Sequence, residues 1–446
     1  MDNFDCILEK LINEYARSKK PIEVSFRELI PHLNKSDRAT HLIHTYPAKL
    51  LMHIPYFFLN NGILSDVNDK ILDPFCGSGT VLLETIISGR QPFGADSNPL
   101  ARLISRTKTN IYDIKNLKES SLEFLGKIDN RKMGDIPNVV NIDYWFSPKI
   151  KKQLSSIYLV LNEYKNGELA DFYRVCFSNL IKKVSLADPR VSVPVRIKPS
   201  NYPKNHLVRK ELDQILSNQT TLDVRSKFLE IIQQNIKRFE KLTLLVDKSN
   251  HFQRQFSDAR RLEDNDNIRL IDGSIQLIIS SPPYSGAQKY IRSSSLSLGW
   301  LGYTEYSGDL RNFEKGSIGR EHYYKNEFEA LPKTGVRAAD ILLNKIFKVY
   351  PKRAYISANY LIEMRQSLTE AVRVLKKNGY FVLVIANNQI CGVEFKTQEY
   401  LTDILESLGL KLILKLVDDI KSYGLMTKRN KTASIITCEW VLVFKK

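Results

Sequence analysis

The sequence predicts an α/β, Rossmann-like sheet carrying a large helical insertion, and three observations lead there. Residues 70–80 run from a short apolar strand, Lys70-Ile71-Leu72-Asp73, through Pro74-Phe75-Cys76-Gly77-Ser78-Gly79-Thr80 into an apolar helical pattern. The apolar run 275–279 reads as a buried strand and ends on Ser281-Pro282-Pro283-Tyr284, so this loop falls at a strand's carboxyl end, where open α/β sheets bind ligands. Residues 111–250 instead space Ile and Leu about three and four apart, the period of helices packed on one another.

In chain order, residues 1–40 form a helical lead-in, with Leu8, Leu11, Ile12 and Tyr15 on one face. Residues 21–26 suit a short strand or extended segment. Residues 41–64 hold His44-Thr45-Tyr46-Pro47-Ala48-Lys49-Leu50 and then an apolar helix over 50–59. Residues 69–110 make a strand–loop–helix–strand unit. Val81, Leu82, Leu83, Ile86 and Ile87 supply its helix, and Pro92-Phe93-Gly94-Ala95-Asp96 supplies a second strand ending in an acid. Glycines let a backbone approach a ligand, amides at a helix start can hold a carboxylate, and an acid ending strand two suits ribose hydroxyls.

The insertion, residues 111–250, contains helices over 150–164, 169–184 and 207–246. Between them four prolines (189, 194, 199, 203) forbid regular helix. Residues 182–210 carry eight Lys or Arg against one acid. This loop is either a solvated surface or an arm whose prolines lower the entropy cost of ordering on a polyanion. The sheet resumes at 255–260 and 275–281. Residues 302–345 interleave Tyr303, Tyr306, Arg311, Phe313, Lys315, Arg320, Tyr323 and Tyr324, with Gly316-Ser317-Ile318-Gly319 as a flexible turn. Rings with cations suit base stacking and phosphate contact; the alternative is a surface loop closing the site. A helix over 358–377, a strand over 380–385 and a closing antiparallel pair, 410–417 with 433–444, complete the domain. Asn387, Asn388 and Gln389 either line a pocket or cap a turn.

Composition narrows the class. The 446 residues carry 43% hydrophobic side chains and a net charge of +17, from 66 Lys and Arg against 49 Asp and Glu. That excess suits a polyanionic partner. No apolar run reaches the ~20 residues of a membrane span. Five scattered cysteines with no Cys-x-x-Cys suggest neither a disulfide framework nor a zinc site, and no metal is expected. The acidic start lacks a signal core, so a cytoplasmic location is expected. Cys76 reads as a small filler residue.

Three cofactors suit the glycine unit. A phosphate loop requires Lys after its last glycine, and none follows Gly79; a dinucleotide fingerprint requires a third glycine where Leu82 stands. S-adenosyl-L-methionine remains. In the Ser-Pro-Pro-Tyr loop the prolines fix the backbone. A hydroxyl and a carbonyl there could accept both protons of a planar amine while the Tyr ring covers the flat face beside it. That equipment suits methylation of an exocyclic amine on a nucleobase.

On these residues the chain closely resembles the DNA amino-methyltransferases that modify cytosine N4 or adenine N6. Asp73-Pro74-Phe75-Cys76-Gly77-Ser78-Gly79-Thr80 resembles their cofactor motif. Ser281-Pro282-Pro283-Tyr284 resembles their catalytic motif in the serine form most associated with cytosine N4. The segment 44–50 is similar to the one that closes over the methionine part, Phe256-Ser257-Asp258-Ala259-Arg260 to the strand-three motif whose acid meets the adenine amine, and 296–302 to a recurrent later pattern. The resemblance covers most of 22–110 and 250–446. It implies catalytic Ser281, Pro282, Pro283 and Tyr284, and cofactor contacts from Tyr46, Lys49, Asp73, Phe75, Gly77, Gly79, Asp96 and Asp258. It further implies a catalytic domain over 41–110 and 251–446, within which the rings and cations of 302–345 make that stretch a candidate target-recognition element. The expected activity is site-specific methylation of cytosine N4 in double-stranded DNA, in a restriction-modification or defence system whose restriction endonuclease would be a separate chain. The alternatives are an adenine-N6 enzyme, an RNA base methyltransferase and a catalytically silent DNA-binding subunit. The long stretch between Asp96 and Asp258 departs from compact relatives and leaves open where target recognition resides.

Overall fold

The computed structural model describes residues 4–34, 38–47, 49–129, 134–219, 221–246, 254–286, 290–304, 306, 308–419 and 438–446. Ten strands occur among them: β1 (Ile22–Val24), β2 (Lys70–Asp73), β3 (Gln91–Ala95), β4 (Arg254–Phe256), β5 (Ile275–Ser280), β6 (Leu375–Ile385), β7 (Asn388–Ile390), β8 (Val393–Phe395), β9 (Lys411–Asp419) and β10 (Cys438–Lys445). Eight make one sheet in the order β1-β9-β10-β6-β5-β2-β3-β4, and β7 with β8 forms a separate hairpin. The run β4-β3-β2-β5-β6 is parallel, and β10 is inserted antiparallel between β6 and β9. The expected closing pair is therefore present; residues 433–437 lie outside the described residues, as does Ala48. From β2 the chain winds outward through β3 to β4, then returns to the other side of β2 as β5. The crevice between the carboxyl ends of β2 and β5 is thus the topological switch point, the ligand site of open α/β sheets. This is the α/β, Rossmann-like architecture that the sequence predicts.

Each face of the sheet has its own core. One packs Leu72, Ile278, Phe381 and Leu383 under the helices Arg337–Phe347, Pro351–Val374 and Thr397–Ser407. The other packs Ile71, Leu277, Ile279 and Val382 under the helices Phe4–Ser18 and His53–Leu59. The lead-in is part of this second core: Leu8 is buried there, and β1 extends the sheet by pairing in parallel with β9.

The insertion forms a third core that continues outward from the helices Thr80–Ile87 and Pro99–Thr109. Glu168–Val184 is its centre and buries Phe172, Tyr173, Val175, Phe177, Leu180 and Ile181, so apolar residues surround it as they do any enclosed helix. Two expected boundaries shift. The helix expected over 207–246 is two helices, Leu207–Asn218 and Val224–Thr243, because Asp223 caps the second by accepting from the Arg225 amide at 3.1 Å. The helix expected over 358–377 runs Pro351–Val374, and β6 begins at Leu375. Lys376 and Lys377 lie in the strand, and Asn378, at φ 64°, bonds the chain's last residue, Lys446. The basic loop is anchored by backbone bonds between Leu186 and Ile197 and between Asp188 and Val195. Some of its cations serve the loop itself, with Lys182 donating to the Val191 carbonyl and Arg190 forked onto Asp188. Lys198, Lys204 and Lys210 stay exposed.

Candidate active site

The switch point is tied shut from beneath. The hydroxyl of Ser280, the last residue of β5, donates to Asp73 Oδ1 at 2.6 Å, joining the ends of β5 and β2. The same oxygen accepts from the Phe75 amide at 3.1 Å and so sets the turn that follows. Burial pushes the Asp73 carboxyl up to about 7, against the pull of both donors. Asp73 therefore shapes the loop from below rather than lining the cleft.

The glycine turn then curls over the end of β3. The Cys76 amide bonds the Ala95 carbonyl at 2.9 Å and the Gly77 amide bonds Asp96 Oδ2 at 3.0 Å. Gly79 starts the helix Thr80–Ile87 at φ 78°, and a Cβ there would stand 2.7 Å from Ser105 Cβ. Handedness and the close approach of the helix Pro99–Thr109 both require glycine. Asp96 also accepts from the Asn98 amide at 2.8 Å; burial pushes its carboxyl up to about 6, opposed by these amides and by Arg102. Asn98 caps the next helix through the Leu100 amide, and its Nδ2 donates to the Tyr46 hydroxyl at 3.2 Å and to Ser294 at 3.1 Å. Cys76 is buried with its thiol pushed upward by burial, as a filler residue would be.

These groups open onto a cleft enclosing about 690 Å³ of empty space, the open solvent at its mouth included. Its walls hold Tyr46, Phe75, Gly77, Asp96, Asp258, Ser281 and Pro283 from the expected set. Gly79, Asp73, Lys49, Pro282 and Tyr284 are not on its walls. The Lys49 ammonium bonds the carbonyls of His41 and His44 at 3.1 and 2.8 Å, stapling its own segment, and desolvation lowers it to about 8. Tyr284 sends its hydroxyl to Glu439 at 3.4 Å. Asp258 is held by its neighbour Arg260, whose Nε and NH2 contact both carboxylate oxygens at 2.8–3.1 Å. Asn388 does not cap a turn: it donates to the Ser285 carbonyl at 3.2 Å and braces the loop after Tyr284.

Sequence reasoning missed Ser97, Asn98, Tyr290, Gly316, Ser317 and Ile318, all on the cleft walls. Asn98 carried a readable signal, a capping residue before Pro99. The segment 316–319, read as a flexible turn within a stretch that either binds the target or closes the site, forms the side of the cleft facing Ser97. The helical layer reaches the same place by another route. Ser178 meets His44 at 3.0 Å, and Asn235 donates to the Ile43 carbonyl at 3.2 Å, fixing the segment that carries Tyr46.

A tightly curled glycine turn, a buried acid after strand two and a polar–proline loop facing them across the switch point fit a nucleoside-bearing sulfonium cofactor. The relatives agree. No family model matches the chain. The type II methyltransferase M.MvaI of Kocuria varians is 23% identical over 446 residues, covering 91% of each protein. The type II methyltransferase M.MjaII of Methanocaldococcus jannaschii is 30% identical over 153 residues, covering 32% of this chain and 28% of that one. Among solved structures, the rRNA methyltransferase aviRa of Streptomyces viridochromogenes covers 94% of this chain and 96% of its own at 11% identity and a TM-score of 0.35, a likeness too slight to argue from. Fold, cleft and relatives together define a methyltransferase whose methyl donor is S-adenosylmethionine. More particularly, the chain is similar, over nearly its whole length, to a protein named as a type II methyltransferase.

Proposed function

We propose that this methyltransferase acts on double-stranded DNA and methylates the exocyclic N4 amine of cytosine, as one half of a restriction-modification or defence pair. The observation that most supports this reading is the position of Ser281 and Pro283, on the same cleft as Phe75, Gly77 and Asp96. A base amine held by the loop would then meet the methyl donor across the switch point. The near-full-length likeness to a protein named as a type II methyltransferase supports DNA as the substrate.

When bound, the cofactor would supply an electrophilic methyl group: the N–C bond forms as the sulfonium S–C bond breaks, the neutral thioether leaves, and the amine gives up one proton to water. The amine is a poor nucleophile because its lone pair is delocalised into the ring. Ser281 Oγ and the Pro282 carbonyl would accept its two N–H bonds, favouring a pyramidal nitrogen with its lone pair directed at the methyl. The gain is orientation and electrostatics with no covalent adduct. The base must first leave the duplex, at a cost of a few kcal/mol; Tyr284, anchored through Glu439, would recover part of it by stacking. Phe75, Gly77, Asp96 and Asp258 would hold the cofactor, with Tyr46 beside them. Residues 302–345 would serve target recognition, and the exposed Lys198, Lys204 and Lys210 would contact phosphates. Replacing those three lysines with alanine should reduce the slope of log affinity against log salt by roughly 2–3; an unchanged slope would remove the arm from the interface.

Nucleoside mass spectrometry of DNA treated with the protein and deuterated-methyl S-adenosylmethionine tests the whole reading. Labelled N4-methylcytosine is expected. Labelled N6-methyladenine would keep the mechanism and change the base, and label in RNA alone would overturn the substrate.

A further inference from the structure

The segment Gly316–Gly319 is fastened by a charged side chain from elsewhere in the fold. At one end, the Arg260 NH2 that contacts Asp258 also donates to the Gly316 carbonyl at 3.0 Å. Arg260 is in turn paired with Glu363, from the helix Pro351–Val374, its NH1 lying 3.6 Å from Glu363 Oε1. Burial pushes the Glu363 carboxyl upward; Arg260 and Arg320 oppose that.

What lies beside this anchor is cleft wall. Ser317 and Ile318 are on the cleft wall, and Ser317 Oγ stands 3.5 Å from Ser97 Oγ, beside Asp96. Gly319 sits at φ 78° so close to the catalytic loop that a Cβ would be 3.1 Å from the Tyr284 carbonyl oxygen. One strap therefore touches the cofactor cleft with its middle and the Ser-Pro-Pro-Tyr loop with its end. Arg260 meanwhile holds Asp258 on the cleft wall.

We propose that Arg260 and Glu363 are positioning residues that clamp the strap 316–319 over the cofactor cleft, so that cofactor affinity and the seating of the catalytic loop are set together. The inference rests on the cleft being the S-adenosylmethionine site and is independent of the acceptor. Guanidinium geometry is essential to it, because one planar fork serves a carboxylate and a carbonyl at once.

The test is calorimetric titration of the full chain with S-adenosylmethionine, paired with steady-state kinetics and melting of the cofactor-free protein. Arg260→Ala is expected to weaken cofactor binding about tenfold or more, in line with the loss of charged hydrogen bonds. The KM for cofactor should rise by a similar factor while kcat falls less. Arg260→Lys should recover only part, since a point charge can satisfy Asp258 without also reaching Gly316. Glu363→Gln, close in shape and safe for folding, should weaken binding several-fold, and the double variant should lose less than the product of the single losses. A lower melting temperature with unchanged affinity and KM in both single variants would overturn the clamp. Failure of the wild-type protein to bind S-adenosylmethionine would instead sink the cofactor reading, and the clamp with it.

Discussion

The two walls of the cleft are built in opposite ways. The near wall is local: Phe75, Gly77, Asp96 and Asn98, with Asp73 beneath them, lie within about one strand–helix–strand unit, and carboxylates hold backbone amides at 2.8–3.1 Å. The far wall is remote. Ser317 meets Ser97 across a separation of 220 residues, and Arg260, itself paired with Glu363, holds the strap at Gly316. Geometry written into a short loop is insensitive to the rest of the fold, whereas geometry borrowed from distant elements can couple the cofactor to whatever those elements touch. Here that is the Ser-Pro-Pro-Tyr loop, through Tyr284.

The largest effect expected lies where the two walls meet. Ser281→Ala should lower methyl transfer by roughly 10²–10³-fold, the magnitude typical of removing one preorganised hydrogen-bonding group at a reacting centre. Cofactor affinity by calorimetry should stay at the wild-type value, because the walls on either side remain intact. Equal loss of binding and transfer would mean that Ser281 belongs to the cofactor wall and that the comparison has been drawn in the wrong place.

Next in size is Gly79→Ala, which attacks the near wall alone. The residue sits at φ 78°, and an added methyl would stand only 2.7 Å from Ser105 Cβ. Strain of about 1–3 kcal/mol is expected from the backbone alone, with a further penalty for displacing the helix Pro99–Thr109. The urea midpoint should fall accordingly. Gly316→Ala, at a position where nothing stands within 4 Å of an added Cβ, should leave it in place. A Gly79→Ala midpoint equal to wild type would show that the near wall yields as readily as the far one.

What the sequence makes legible follows the same division. The strand–glycine–helix unit, Asp96, Ser281 and the closing strands announce themselves through spacing that is local and periodic. The fold class follows because the apolar strands alternate with helices in an order that leaves few topologies. Lys49 is not on the cleft because a cation beside an expected carboxylate site looks the same in sequence whether it faces the ligand or bonds its own segment's carbonyls. The strap 316–319 reads as a flexible turn because nothing within it records that Arg260 and Glu363 await it. The split of the helix expected over 207–246 is readable in part: Asp223 is a capping residue, although a continuous apolar period runs across it.

The smallest effect expected is also the most diagnostic of how the near wall is held. Asp73 lies beneath both walls with its carboxyl pushed up to about 7 by burial. A folded-state value above that of the unfolded chain means that protonated Asp73 is favoured in the native state. Its stabilisation is complete below about 4, the ordinary aspartate value, and is lost as pH rises through about 7. Across that window the wild-type protein should lose stability relative to Asp73→Asn, with a slope of at most about 1.4 kcal/mol per pH unit. Asparagine keeps an acceptor for the Ser280 hydroxyl and the Phe75 amide but does not titrate. Asp96 has the same sign and rises to about 6, whereas desolvation lowers His44 to about 3 and His53 to about 4 with the opposite sign; both proteins share these groups, so the difference between them reports Asp73. Glu370, lowered to about 2 by Arg373 and Arg269 against the cost of its burial, acts in the opposite sense. Its contribution is lost only as pH falls below the ordinary glutamate range, outside the window. Urea unfolding of both proteins at pH 4.5, 5.5, 6.5 and 7.5 checks this. Parallel curves would mean that Asp73 is already ionised in the folded protein, and that the switch point is held by a charged acceptor rather than a shared proton.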